Sequence, residues 1–311
     1  MNRPRGFRSS ASIAIGLALA SFVVVATLTL AACGGSSTKA ATSPSATPSV
    51  AATPVALVGT DSVAVTKKAV DGYNAAWVAW RTDQFGPLYA ADVVFFDNCF
   101  FARLKGKAVI LKALRGSLAI TTGARVYADY AGHGWGVAEL RWDYLDDSFN
   151  GSMQVLVLLG SRGGKIVHEA WNYEPSEKGR TLAPAPLKSA PGPQDTPSAA
   201  EGVALEYAAA LQAQDAAAIA ALSAPTIAFT DTASGTVGHD PGQVQAHYAK
   251  IFKTPAGWSL TFTNLSYAFG AGWAAVLWNA SGDGVTMLEI RDGKIARETL
   301  YYARGNVLFV P

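Results

Sequence analysis

Gly164-Lys165-Ile166-Val167-His168-Glu169-Ala170-Trp171-Asn172-Tyr173 and Gly293-Lys294-Ile295-Ala296-Arg297-Glu298-Thr299-Leu300-Tyr301-Tyr302 are one stretch written twice. Gly, Lys, Ile, Glu and Tyr recur at the same offsets without a gap. Each copy follows a tight-turn pair, Gly163-Gly164 or Asp292-Gly293, which supplies the positive φ that a two-residue hairpin needs. Each therefore reads as the outgoing strand of a hairpin that closes half of the chain. Alternation along the strand places Glu169 on the side of Val167, Trp171 and Tyr173, a partly buried acid with Arg141 as a candidate partner across the sheet.

Moving back from these strands, more of the sequence repeats. Val93-Val94-Phe95-Phe96-Asp97 parallels Ile227-Ala228-Phe229-Thr230-Asp231, and Tyr73 and Tyr207 each stand 24 positions before the aspartate. Three matches in the same order indicate duplication. Periodicity predicts helices over 62–81 and 106–118, a short helical piece up to Tyr89, and strands over 93–96, 124–131, 135–144, 152–160 and 165–174. The second half repeats the order, with helices over 198–213, 215–222 and 240–252 and strands over 226–230 and up to 303. Helices followed by an antiparallel meander make the fold class α+β. The halves span 61–174 and 198–311. Between them, residues 175–197 carry six prolines, a density that blocks helix and sheet and marks a linker.

The N-terminus has the parts of an export signal over residues 1–32: Arg3, Arg5 and Arg8, then an apolar run from Ile13 to Leu30. Leu30-Ala31-Ala32-Cys33 resembles the bacterial lipobox, whose cysteine is acylated, so Cys33 is the expected lipidation site. The expected localisation is the outer face of the cell membrane, with the membrane itself a partner through the anchor. An uncleaved spanning helix is the alternative, since the run is about long enough. Residues 33–60, rich in Ser, Thr, Ala and Pro, read as a disordered tether. The formal charge of the whole chain is +2, and the leader removes three arginines and no acid. A near-neutral mature chain without a basic run has no electrostatic footprint for nucleic acid. Cys99 has no second cysteine to pair with once Cys33 is lipidated, and it reads as a small packed strand residue. His133, His168, His239 and His247 form no ligand-like cluster, so neither a metal nor a cofactor is expected.

The element order, with about 115 residues per half, resembles the nuclear transport factor 2-like superfamily, which includes SnoaL-like proteins and ketosteroid isomerase. The resemblance implies tandem cone-shaped domains, each with N-terminal helices packed on a strongly bent antiparallel sheet around a pocket. Asp97 then matches the general base of the isomerases, and Tyr73 the tyrosine of their oxyanion hole. That chemistry needs a carboxylate to take a proton beside a carbonyl and a donor to hold the enolate. The family's second donor is missing, because Leu156 and Val285 stand at its place. Its proline after the base is replaced by Asn98 and Thr232. The plainer roles are a turn-binding aspartate for Asp97 and Asp231 and a core stripe for Tyr73 and Tyr207. Trp77, Trp142, Trp171 and Trp278, with Glu169, Glu298, Tyr207 and Asp231, are the candidate lining of the two pockets. The first expectation is a non-catalytic module for a small apolar ligand or a protein partner. An isomerase or cyclase using Asp97 and Tyr73, and a structural module whose sheet faces pack on each other or on a partner, are the alternatives. The second half keeps fewer charged residues at the matching places and is expected to be the degenerate copy.

Overall fold

The computed structural model describes residues 53–98, 102–144, 152–173, 186–188, 192–253, 262–279 and 283–302. The leader, Cys33, the tether up to residue 52, Cys99 and most of the proline-rich linker lie outside them.

A two-residue strand β1 (Val55–Ala56) comes first. Then follow α1 (Val63–Val78), α2 (Thr82–Phe85), β2 (Tyr89–Asp97), β3 (Ala102–Lys105) and α3 (Lys107–Ile120). The meander β4 (Thr121–Ala131), β5 (Trp135–Tyr144), β6 (Ser152–Arg162) and β7 (Lys165–Tyr173) closes the first half. The second half runs α4 (Pro197–Ala213), α5 (Ala216–Leu222), β8 (Ser223–Asp231), β9 (Thr236–Gly238) and α6 (Pro241–Phe252), then β10 (Thr263–Gly270), β11 (Trp273–Asn279), β12 (Asp283–Arg291) and β13 (Lys294–Tyr302).

Local chemistry starts the helices where they start. Ser62 accepts from the Val65 amide, Thr196 from Ala199 and Asp240 from Gln243, each satisfying an orphan N–H of the first turn. Pro197 and Pro241 occupy the first helical turn, where the missing N–H costs nothing. Once started, α1 buries Thr66, Ala69, Val70, Tyr73, Asn74, Ala76 and Trp77, a stripe at helical spacing. Helix α4 buries the matching stripe Ala200, Val203, Ala204, Tyr207, Ala208 and Leu211.

The strands order as β3-β2-β7-β6-β5-β4 in one sheet and β1-β10-β11-β12-β13-β8-β9 in the other. The α+β class and the repeated layout are as the sequence indicates, but neither sheet is wholly antiparallel. Strand β2 lies parallel to β7, and β8 parallel to β13. The chain between the members of each pair is long enough to make such a crossover. In both sheets the register slips at the same place, beside Val167 and beside Ala296. This bulge puts one extra residue in the strand and bends it. It also corrects the expected alternation: Ile166, rather than Val167, shares the buried face with Glu169 and Trp171. Tyr89 begins a strand instead of ending a helix, and the short strands β3 and β9 are additional to those expected.

The span expected as tether reaches into ordered structure. Val55 and Ala56 pair in parallel with Ser266 and Tyr267 of the second sheet, and the Leu57 amide donates to the Tyr267 carbonyl at 2.7 Å. The Gly59 amide donates to His133 at 2.8 Å, and here the two backbones nearly touch. A Cβ on Gly134, whose φ is +71°, would stand 2.4 Å from the Gly59 Cα.

Among the described residues, three packed clusters result. One lies between α1–α3 and the inner face of the first sheet, and a second between α4–α6 and the inner face of the other. The third joins the outer faces of the two sheets. Val137, Leu156, Leu158 and Ala170 meet Ala268, Trp273, Ala275, Val285, Met287 and Tyr301. Into this apolar seam Arg297 projects from β13. It donates to Glu139 at 2.5 and 3.1 Å, to Glu289 at 2.7 Å and to the Tyr130 hydroxyl at 2.7 Å. Tyr301 adds a bond to Glu139 at 2.8 Å.

Candidate functional site

Each last strand turns one glutamate inward under the first helix of its half. In the first half Glu169 is fully enclosed. The Tyr73 hydroxyl of α1 and the indole N–H of Trp171 donate to its Oε1 at 2.5 and 2.6 Å, and the Tyr89 hydroxyl of β2 to its Oε2 at 2.5 Å. Burial pushes the Glu169 carboxyl up from its ordinary pKa, and the three donors oppose that shift. Burial, then the neighbouring Glu169 charge, raises Tyr73 and Tyr89 well above the usual phenol range, so both remain donors. Around them the rings spend their faces on one another. Trp77 stacks on Trp142 at 4.6 Å, and Trp171 stands edge-on to these two at 5.9 and 4.7 Å. The indole N–H groups of Trp77 and Trp142 are buried without a hydrogen-bond partner.

Asp97 closes β2 and holds the Tyr173 hydroxyl, which lies 3.1 and 2.9 Å from its two oxygens. Tyr73 instead serves Glu169. The sequence-based pair Asp97 and Tyr73 is therefore divided between two separate hydrogen-bond groups.

The second half builds the same motif with a different outcome. The hydroxyls of Tyr207 on α4 (2.7 Å) and Tyr248 on α6 both donate to Oε1 of Glu298, which brings the two phenol oxygens into close contact. Tyr207 lies 3.3 Å from Thr286 Oγ1, which accepts the Trp278 indole N–H at 3.0 Å. Oε2 of Glu298 has no hydrogen-bond partner although the residue exposes no surface. Burial raises this carboxyl to about 7, against the pull of Tyr248, Tyr207 and His247. Nearby, Asp231 Oδ1 accepts from the amides of Ala233 and Ser234 at 2.9 and 3.0 Å, which is the turn-binding role. Its Oδ2 accepts from the Tyr302 hydroxyl at 2.8 Å and stands 3.0 Å from Nε2 of His247. Burial acts to raise Asp231, but His247 and Ser234 hold it below the ordinary range.

All the candidate residues with described surroundings thus face the two interiors. Trp77, Trp142 and Trp171 lie in the first core with Tyr73 and Glu169, and Asp97 stands at its strand end. Tyr207, Trp278 and Glu298 belong to the second, with Asp231 beside them. The suggested Arg141 partner of Glu169 is corrected, since Arg141 bonds Asp143 at 2.9 Å. An acid inside the cup meets only what the cup presents, and that is phenols and an indole. Tyr89, Tyr248, Thr286 and His247 were not among the candidates. The repeated tyrosine that ends each copy, Tyr173 and Tyr302, was visible in the repeat and proves to be the partner of the repeated aspartate.

Residues 204–298 match the SnoaL-like domain family, so the family signature lies in the second half, the one expected to be degenerate. Among solved structures, a hypothetical protein with a ketosteroid isomerase-like fold from Catenulispora acidiphila is 20% identical at TM-score 0.32, over 35% of this chain and 86% of its own. An NTF-2-like protein of unknown function from Burkholderia xenovorans is 21% identical at TM-score 0.33, over 39% of this chain and 89% of its own. A Mycobacterium tuberculosis LEH-like epoxide hydrolase is 15% identical at TM-score 0.32, over 36% of this chain and 84% of its own. No curated protein matches the chain.

Proposed function

We propose that this chain is exported, held at the outer face of the cell membrane by lipid on Cys33, and works there without catalysis. In this reading its two NTF2-like halves form a binding module for a small apolar ligand or a protein partner. One observation carries it: the acid and the phenol that an isomerase would turn toward substrate are already committed to protein groups. Tyr73 is held by Glu169, and Asp97 holds Tyr173. Shifting a double bond needs a base and an oxyanion donor on the same substrate, and here that pair does not converge. The structural alternative draws support from the outer sheet faces, which pack on each other. It leaves the inner polar groups of the second half without a role.

Native mass spectrometry of the purified mature protein tests the reading. A co-purifying small molecule or protein is the expected result, together with no turnover of a β,γ-unsaturated ketosteroid. Turnover that is lost in both Asp97→Asn and Tyr73→Phe would overturn the non-catalytic assignment. For the anchor, Cys33→Ser is expected to move the protein from the membrane fraction to the soluble one, and unchanged retention would favour a spanning helix.

A further inference from the structure

The two buried glutamates occupy equivalent places, yet one has donors on both oxygens and the other on Oε1 alone, and one ladder position differs to match. In the first sheet Tyr89 pairs with Ile166, and its hydroxyl reaches Oε2 of Glu169. The equivalent ladder pair in the second sheet is Ser223 with Ile295. A serine side chain is a phenol ring shorter, and the buried Ser223 hydroxyl finds no partner of its own. Tyr248 supplies a second phenol from α6, but to Oε1, which Tyr207 already serves. When Glu298 is ionised, its Oε2 is left as an acceptor without a donor.

A buried polar atom left unpaired is destabilising, and an incoming donor relieves that cost. The surroundings are Trp278, Phe229, Tyr248 and the apolar second core. They fit an apolar body carrying one donor. In the first half both oxygens of the glutamate are paired, and the unpaired groups of the aromatic cluster around it are donors, the indole N–H groups of Trp77 and Trp142.

We propose that the second half alone is the site for a small, mostly apolar molecule bearing a hydroxyl, whose O–H donates to Oε2 of Glu298, and that Tyr89 closes the first half to the same molecule. This rests on the binding-module reading and assigns its site and ligand class.

The test uses the mature chain with Cys33→Ser at about pH 8.5, where Glu298 is ionised, and two probes of equal shape, phenol and toluene, titrated by calorimetry with the indole N–H resonances of Trp278 and Trp171 followed by NMR. Phenol is expected to bind at one site per chain at least tenfold more tightly than toluene and to shift Trp278 but not Trp171. Ser223→Tyr, which copies the first half, is expected to abolish the phenol site while the fold stays intact by circular dichroism. Tyr89→Ser is expected to add a second site. Equal affinity for the two probes, two equivalent sites in the parent chain, or undiminished phenol binding in a folded Ser223→Tyr chain each overturns the proposal. Absence of phenol binding also overturns it. If a ligand nevertheless co-purifies and Ser223→Tyr does not displace it, the binding-module reading survives; if nothing co-purifies, both fall.

Discussion

A carboxyl sealed in an apolar interior titrates far from its solution value, and Glu298 is the clearest case here. Its folded pKa is about 7 against an ordinary 4.5. The folded state therefore binds more protons than the unfolded chain between those values. The stability that comes from the protonated form is complete below about pH 4.5 and is lost as the pH rises through about 7. Glutamine mimics the protonated form, so Glu298→Gln is expected to be near neutral at pH 4.5. At pH 8 it should stabilise the protein by about 3 kcal/mol. Urea denaturation at the two pH values checks this, and equal effects at both would refute it. The groups facing Glu298 are Tyr207 from α4, Tyr248 and His247 from α6, and Asp231 from β8. A parallel series in His247→Gln shows whether the effect depends on the neighbouring ring. Glu169 offers a contrast, because Tyr73→Phe there removes one of three donors to a buried acid and is expected to cost about 2 kcal/mol.

At the level of elements, the tightest tolerance is the crossing of Gly59 over Gly134. Alanine at Gly134 needs a left-handed φ and a Cβ inside the van der Waals surface of the facing backbone. Gly134→Ala is expected to lower the thermal midpoint by several degrees, whereas Gly116→Ala, in a helix with nothing near its Cβ, should not lower it. The hairpin strands could be read from the chain because period-two patterning and the turn pairs Gly163-Gly164 and Asp292-Gly293 are local signals. Partner choice is not local. Nothing within Tyr89–Asp97 says that β7 will lie parallel to it, and a bulge at Val167 reverses the face of every residue before it. The glutamates were recognisable as buried acids from their strand, but their partners were not. Tyr89 sits just after Gly86-Pro87, which obscures a strand start, and Tyr248 lies on a helix whose equivalent in the first half has Leu114. The second phenol thus comes from β2 in one half and α6 in the other, a change of element that no comparison of the two copies in register can reveal.

Across the molecule, the seam between the sheets has an ionic centre in a greasy surround. Arg297 is almost wholly buried, and Glu139 wholly so. Removing the guanidinium strands that carboxylate, and breaking such a pair costs about 3–5 kcal/mol. Arg297→Met is therefore expected to lower the urea midpoint strongly and to speed proteolysis within 175–197. The double variant Arg297→Met with Glu139→Leu should recover much of the loss, and a double variant as unstable as the single would count against an uncompensated charge as the cause. The second sheet also takes in Val55 and Ala56, since β1 is one of its strands although it precedes the first half in sequence. Under the proposed lipid anchor at Cys33, this strand would be the point of suspension. The stretch from Cys33 to Val55 could span at most on the order of 70 Å, and under the proposed anchor a load on it would reach β10 before α1. Under that proposal, pulling would shear β1 along β10 rather than peel the first helix away, so force would enter through the sheet that carries Glu298.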